Sequence, residues 1–159
     1  MHLKAIEEER YQDYKVPSMY LAFPSCTFKC EKECGKQVCQ NGALATAPNI
    51  DISGTEIVKR YLDNPITQAI VMAGLEPFDS YEDMICLIAG FRLLKIYDPI
   101  VIYTGYRENE IPQDRLQELA RQGNIIVKFG RFIPDQQPHY DEIIGVNLAS
   151  DNQYAKQLE

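Results

Sequence analysis

Short apolar runs separated by amphipathic helical stretches constrain this chain more than any other feature. "SMYLAF" (18–23), "QAIVMAG" (68–74), "PIVIYTG" (99–105) and "NIIVKFG" (124–130) are nearly continuous in apolar residues, the pattern of strands buried on both faces. Between them lie helix signals. "SGTEIVKRYLDNP" opens with Ser53 and Glu56 at capping-box spacing, sets Ile57, Val58, Tyr61 and Leu62 on one face and stops before Pro65. A second helix starts near Ser80, with Met84, Ile85, Leu87, Ile88, Phe91 and Leu94 facing inward, and "PQDRLQELARQG" runs from Pro112 to Gly123. "EIIGVNL" (142–148) is a final apolar segment before the tail "ASDNQYAKQLE". The alternation predicts an α/β fold with a mainly parallel sheet and flanking helices. About five strands in 159 residues are too few for a closed eight-stranded barrel, which needs more than ~200 residues, so an open, partial (β/α) barrel fits. The expectation is a single domain over 1–159, with 1–16 as an N-terminal extension and 24–40 as a ligand-binding loop.

In parallel α/β folds ligands gather at the carboxyl ends of the strands, where loops and helix N-termini converge. That edge would carry the loop after "SMYLAF" together with "AGLEPF", "TGYRENE", "FGRF" and "LASDNQ". A formal charge of −7 argues against nucleic acid, whose backbone is bound by clustered Lys and Arg. The N-terminus lacks the apolar core of a signal peptide, and no apolar run approaches the ~18 residues that span a bilayer, so no membrane partner is expected. A reducing cytoplasm is the expected compartment.

Four of the five cysteines fall within "CTFKCEKECGKQVC" (26–39). A reducing compartment puts disulfides last among the readings and metal first. Three residues separate Cys26 from Cys30 and Cys30 from Cys34, and Cys39 lies five positions beyond Cys34. Spacing alone leaves zinc and an iron–sulfur cluster equally open. Structural zinc usually staples modules that lack a core, whereas this loop follows the first strand of a chain with ample apolar sequence, and a metal at the sheet edge suggests work on a ligand.

The order strand, Cys-x3-Cys run, strand and Gly-x-Glu-Pro loop resembles the radical S-adenosylmethionine enzymes. Later segments narrow the likeness to the anaerobic ribonucleotide reductase activating proteins. "VIYTGY" (101–106) looks like that family's aromatic-Thr-Gly-Tyr strand end, "GRF" (130–132) like its Gly-x-Phe element, and "ASDNQ" (149–153) like its Ser-x-Asn-Gln close. The resemblance runs from about residue 18 to residue 153 and implies a radical S-adenosylmethionine type of partial barrel. It implies a [4Fe–4S] cluster on three cysteines, with the fourth iron open to S-adenosylmethionine, which is cleaved to a 5′-deoxyadenosyl radical. It further implies a class III ribonucleotide reductase or other glycyl-radical protein as partner, and reduced flavodoxin or ferredoxin as electron donor.

The family spacing is Cys-x3-Cys-x2-Cys, and no cysteine stands two residues after Cys30. Cys34 or, after an expanded loop, Cys39 would complete the set with Cys26 and Cys30; "VCQN" favours Cys39. In "AGLEP" Ala73 replaces a family glycine and Leu75 is inserted before Glu76. Glu76 and Gly74 are expected at the methionine end of the cosubstrate, with Phe28, Tyr103 and Asn152 near its adenosine. No Gly-rich, Arg-containing segment precedes Cys26. The alternatives are a radical enzyme modifying another protein or peptide, and a noncatalytic zinc or iron–sulfur module. Cys86 reads as a small core residue, and His2 and His139 show no ligand spacing.

Overall fold

The computed structural model describes residues 1–159. In chain order its elements are β1 (His2–Leu3), β2 (Ala5–Arg10), β3 (Ser18–Phe23), α1 (Lys29–Cys34), α2 (Gly42–Thr46), β4 (Ile50–Asp51), α3 (Gly54–Asp63), β5 (Ala69–Gly74), α4 (Tyr81–Leu93), β6 (Ile100–Tyr103), α5 (Gln113–Arg121), β7 (Ile125–Phe129), β8 (His139–Asp141), β9 (Val146–Leu148) and β10 (Tyr154–Gln157). The fold is mixed α/β. A six-stranded sheet has the order β10-β7-β6-β5-β3-β2. The four predicted apolar strands β3, β5, β6 and β7 pair in parallel, and β2 and β10 close the two edges antiparallel.

Each parallel strand is added on the same side of its predecessor. Right-handed crossovers in one direction place every connecting helix on one face of the sheet. Accordingly Ile57, Val58 and Tyr61 of α3, Met84, Ile88 and Phe91 of α4, and Leu116 and Leu119 of α5 share one core with Met19, Leu21, Phe23, Ile70, Met72, Ile100, Ile102, Val127 and Phe129. The helix starts follow local chemistry. Ser53 Oγ accepts from the Glu56 N–H at 3.1 Å to cap α3, and a 3-10 turn, Pro77–Ser80, leads into α4.

The opposite face carries the other strand parity. Tyr20, Ala22, Ala69, Val71, Ala73, Val101 and Ile126 form a second cluster under Tyr14, Ile144 and Leu148. The sheet is therefore flanked by helices on one side only. Near its carboxyl edge this second face has Ala22 paired with Ala73 and Tyr103 paired with Lys128. Two small side chains there leave room, and two long polar ones face it.

Several sequence expectations are corrected. The 1–16 extension contributes β1 and β2 to sheets, with β2 running antiparallel to β3. The apolar segment "EIIGVNL" is divided by Gly145, at φ 73, and its Val146–Leu148 part pairs with β8 in a separate hairpin. Leu62 and Leu94 are 57% and 59% exposed rather than inward, because each sits at the last turn of its helix, past the stripe that meets the sheet. Cys86 is exposed, not core. It lies with Gly90 and Leu93 on the flank of α4 away from the buried stripe of Met84, Leu87, Ile88 and Phe91. No helix is long and apolar enough to cross a membrane.

Candidate functional site

At the carboxyl edge of the parallel strands a cavity of about 270 Å³ opens, lined by residues from all five segments expected there. The cysteine loop contributes Cys26, Cys30 and Cys39, the β5 end contributes Ala73–Glu76, the β6 end Tyr103–Tyr106, and the β7 end Lys128 and Gly130–Phe132. Gln153 completes the ring. Cys34, Phe28 and Asn152 do not line it.

The cysteine loop is pinned at both ends. The Thr27 N–H donates to Asp79 at 2.9 Å, and Tyr106 Oη donates to the other Asp79 oxygen at 2.6 Å. The Asn41 amide donates to the Gly74 carbonyl at 2.7 Å, tying the loop's far end to β5. In between, Phe28 takes a left-handed backbone, φ 52, and its N–H points at Cys26 Sγ, 3.2 Å away. The main chain of Phe28 thus serves the site, not its ring. The six residues of α1 follow, and Gly35 (φ 65) ends them by donating to the Glu31 carbonyl at 2.9 Å. Cys30 and Cys34 are four apart on this helix, neighbours one turn from each other, yet Cys30 lines the cavity and Cys34 does not.

Burial pushes the Cys26 thiol up to about 11, against the Phe28 N–H that pulls it down and with the charges of Glu76, Asp79 and Cys30 adding to the rise. Burial raises Cys30 as well, followed by the charge of Cys39. Cys30 is thus within electrostatic reach of both other cavity cysteines. Neutral thiols surrender their protons when a metal binds, and the mutual repulsion of the resulting thiolates is what the cation neutralises.

Glu76, 4% exposed, staples two strand ends. One oxygen accepts from Thr104 Oγ1 at 2.8 Å and from the Phe78 N–H at 3.1 Å, and the other accepts from the Gly105 N–H at 2.8 Å. Burial raises its carboxyl to about 7, although these three donors pull it down. A carboxylate has about four lone-pair directions, so one acceptor position remains. Lys128, 7% exposed, faces it in the same cavity. Its ammonium donates to the Gly130 carbonyl at 2.8 Å, leaving two N–H groups, and burial lowers it to about 8, partly offset by the charge of Glu76. The two opposite charges sense each other without forming an ion pair.

Of the residues singled out from sequence, Cys26, Cys30, Cys39, Gly74, Glu76 and Tyr103 meet at the cavity. Asn152 does not line it; its amide nitrogen donates to the Arg131 carbonyl at 2.9 Å, and its Oδ1 is buried without a hydrogen-bond partner. Tyr103 Oη donates to the Asp13 carbonyl at 2.6 Å, so its ring forms a wall held by the N-terminal segment. Lys128, Arg10 and Asp13 also line the cavity and escaped sequence reasoning, whereas Arg131 and Gln153 line it from the quoted motifs "GRF" and "ASDNQ". A lone lysine inside the apolar run "NIIVKFG" was a readable signal for the first; Arg10 and Asp13 carry none, because an edge strand brings them in.

No three His, Cys, Asp or Glu side chains converge tightly enough to hold a single metal ion. The three cavity thiols are spread around a space instead, and an iron–sulfur cluster, bulkier than one ion and preferring thiolate donors, fits that donor set. Residues 18–153 match the family model described as a 4Fe-4S single cluster domain. The matched span begins at the first residue of β3 and ends at Gln153, so it takes in every cavity segment except Arg10 and Asp13. No curated protein matches the chain.

Proposed function

The chain belongs to the 4Fe-4S single cluster domain family, and from that premise we propose that it is a radical S-adenosylmethionine protein whose cluster rests on Cys26, Cys30 and Cys39. The observation that carries this reading is the division of the four loop cysteines: three line one cavity beside the Gly74–Glu76 strand end, and Cys34 lies outside it. Three thiolates leave one iron free for a ligand, whereas four would close the cluster. When bound, the cluster supplies the electron that cleaves the sulfonium of S-adenosylmethionine to methionine and a 5′-deoxyadenosyl radical.

The chain's own residues supply the rest. Glu76 offers its remaining acceptor position to an N–H of the methionine amino group, and Lys128 offers two N–H groups to a carboxylate oxygen, so the buried pair would hold the amino-acid head group beside the open iron. Gly74 lets strand β5 end close against β3, with its carbonyl already held by Asn41. Tyr103 and the small side chains Ala22 and Ala73 shape the space beside that head group. The one-sided helix cover suits an open, partial barrel of the radical type. A single domain over 1–159 is part of the same reading.

A cavity of about 270 Å³ lies below the ~300–1,000 Å³ typical of small-molecule sites, which leaves little room for a second small-molecule substrate. The hydrogen donor is accordingly proposed to be a protein segment presented at the cavity mouth: a glycine of an anaerobic ribonucleotide reductase or of another glycyl-radical protein. The radical would take a hydrogen atom from the glycine Cα, giving 5′-deoxyadenosine and a glycyl radical. Reduced flavodoxin or ferredoxin would supply the electron, in a cytoplasmic setting. The test is 5′-deoxyadenosine formation by anaerobically reconstituted protein with S-adenosylmethionine and a strong reductant. Product formation in wild type and Cys34→Ser, with none in Cys39→Ser, is expected; loss in Cys34→Ser with retention in Cys39→Ser would reverse the ligand assignment, and no product from any fully loaded protein would end the radical reading.

A further inference from the structure

A fourth thiol one helical turn from Cys30 is a hazard to a cluster that must keep an iron open, because a thiolate is a far better ligand than water or a weakly held cosubstrate. The residue beside Cys34 explains what holds it off. Glu33 Oε1 stands 3.3 Å from Arg131 Nη1, and Glu33 Oε2 stands 3.2 Å from Arg107 Nη2. Arg131, whose side chain is 2% exposed, also meets both oxygens of Glu110 through Nη2 at 2.9 and 2.7 Å. Lys29 at the start of α1 stands 3.6 Å from the same Glu110 and lies over the Tyr106 ring. The whole of α1 is thereby seated on the ends of β6 and β7.

The contacts differ in weight. Glu33 and Arg107 are both substantially exposed, and water and salt screen such a pair. Arg131 is different: its guanidinium is buried, Nε and Nη1 have no hydrogen-bond partner, and Glu33 is the one anion facing that side. Glu33 itself is partly exposed, and losing it would leave that side of the buried guanidinium without a counter-charge, which is costly. Consecutive helix positions diverge by about 100°, so fixing Glu33 on Arg131 also fixes the direction of Cys34, which does not line the cavity that Cys30 lines.

We propose that the Glu33–Arg131 contact is a latch that selects the third cluster ligand: it holds Cys34 outside the cavity, so that Cys39 ligates and one iron stays open. Glu33 is a positioning residue in this role. The inference rests on the proposed three-thiolate cluster, and its test separates the two. Mild oxidation by ferricyanide removes an iron that lacks a thiolate, [4Fe–4S]²⁺ giving [3Fe–4S]⁺, Fe²⁺ and one electron taken by the oxidant, and the three-iron product is paramagnetic. Full-length protein reconstituted anaerobically is oxidised and read by electron paramagnetic resonance alongside iron content, for wild type, Glu33→Gln, Glu33→Lys, Cys34→Ser and the double variant Glu33→Lys/Cys34→Ser.

Wild type and Cys34→Ser should give the three-iron signal. Glu33→Lys, which sets like charge against Arg131 and Arg107, should keep its iron but lose that signal as Cys34 closes the cluster, with Glu33→Gln intermediate. The double variant should regain the signal, which a merely structural role for Glu33 would not produce. A Glu33→Lys protein that converts like wild type overturns the latch, as does a double variant that fails to recover it. Absence of the three-iron signal in wild type would instead overturn the three-thiolate cluster itself.

Discussion

Replacing Gly74 by alanine tests whether the strand end that presents Glu76 is placed as described. Gly74 has φ +95, and a Cβ there would stand 2.6 Å from Ala22 Cα, 2.7 Å from the Phe23 nitrogen and 2.8 Å from the Ala22 carbonyl carbon. All three are backbone atoms of the paired strand β3, so no side chain can swing aside. Positive φ alone costs an L-residue roughly 1–2 kcal/mol, and forcing atoms into a packed interior adds about 1–3 kcal/mol. Gly35 separates the two effects, because it has φ +65 with nothing within 4 Å of its Cβ. Urea unfolding of metal-free protein should therefore show Gly35→Ala losing roughly 1–2 kcal/mol and Gly74→Ala losing about 2–5 kcal/mol. Since Asn41 bonds to the Gly74 carbonyl, the Gly74 variant should also hold less iron after reconstitution than Gly35→Ala. Equal losses in the two variants would refute the close β3–β5 approach.

Three further outcomes are expected. Iron analysis after reconstitution should find Cys39→Ser depleted and Cys34→Ser close to wild type, because only Cys39 of the two faces the cavity; the reverse pattern would contradict the assignment. The Glu76 carboxyl, raised by burial from 4.5 to about 7, binds its proton more tightly folded than unfolded, so metal-free protein should lose about 3 kcal/mol of stability as pH rises from 4.5 to 7. Glu76→Gln should flatten that slope in pH-dependent urea titrations, and an unchanged slope would place the titration elsewhere. Lys128→Met should weaken S-adenosylhomocysteine roughly tenfold or more in calorimetry, the worth of a charged hydrogen bond of about 1.5 kcal/mol, while leaving methylthioadenosine, which lacks the amino-acid head, unchanged; equal loss for both ligands would count against a carboxylate contact.

The parallel strands were legible because burial on both faces demands unbroken apolar runs, and β3, β5, β6 and β7 each carry one. The antiparallel edges were not. "AIEEER" and "YAKQ" each keep much of their surface in water, so their sequences show too few apolar residues to mark a strand. The convergence of five segments on one edge followed from strand order and was readable as soon as the alternation was. What sequence could not decide was which cysteine turns inward: Cys34 and Cys39 differ by the path of a loop set by Gly35, by Asn41 reaching back to Gly74, and by Glu33 reaching Arg131. Those contacts link residues 33 and 98 positions apart in the chain, and no local spacing encodes them. Cys86 misled for a different reason. α4 is apolar on more than one flank, so periodicity does not separate its buried stripe from the exposed side that carries Cys86, Leu93 and Leu94.

The most direct test of an open iron on a three-cysteine cluster is electron–nuclear double resonance on the reduced protein with S-adenosylmethionine isotope-labelled at its amino nitrogen and carboxylate. Coupling of both labels to the cluster spin in wild type and in Cys34→Ser is the predicted result. A reduced, fully loaded cluster that shows coupling to neither label would contradict it and leave the protein a closed iron–sulfur module.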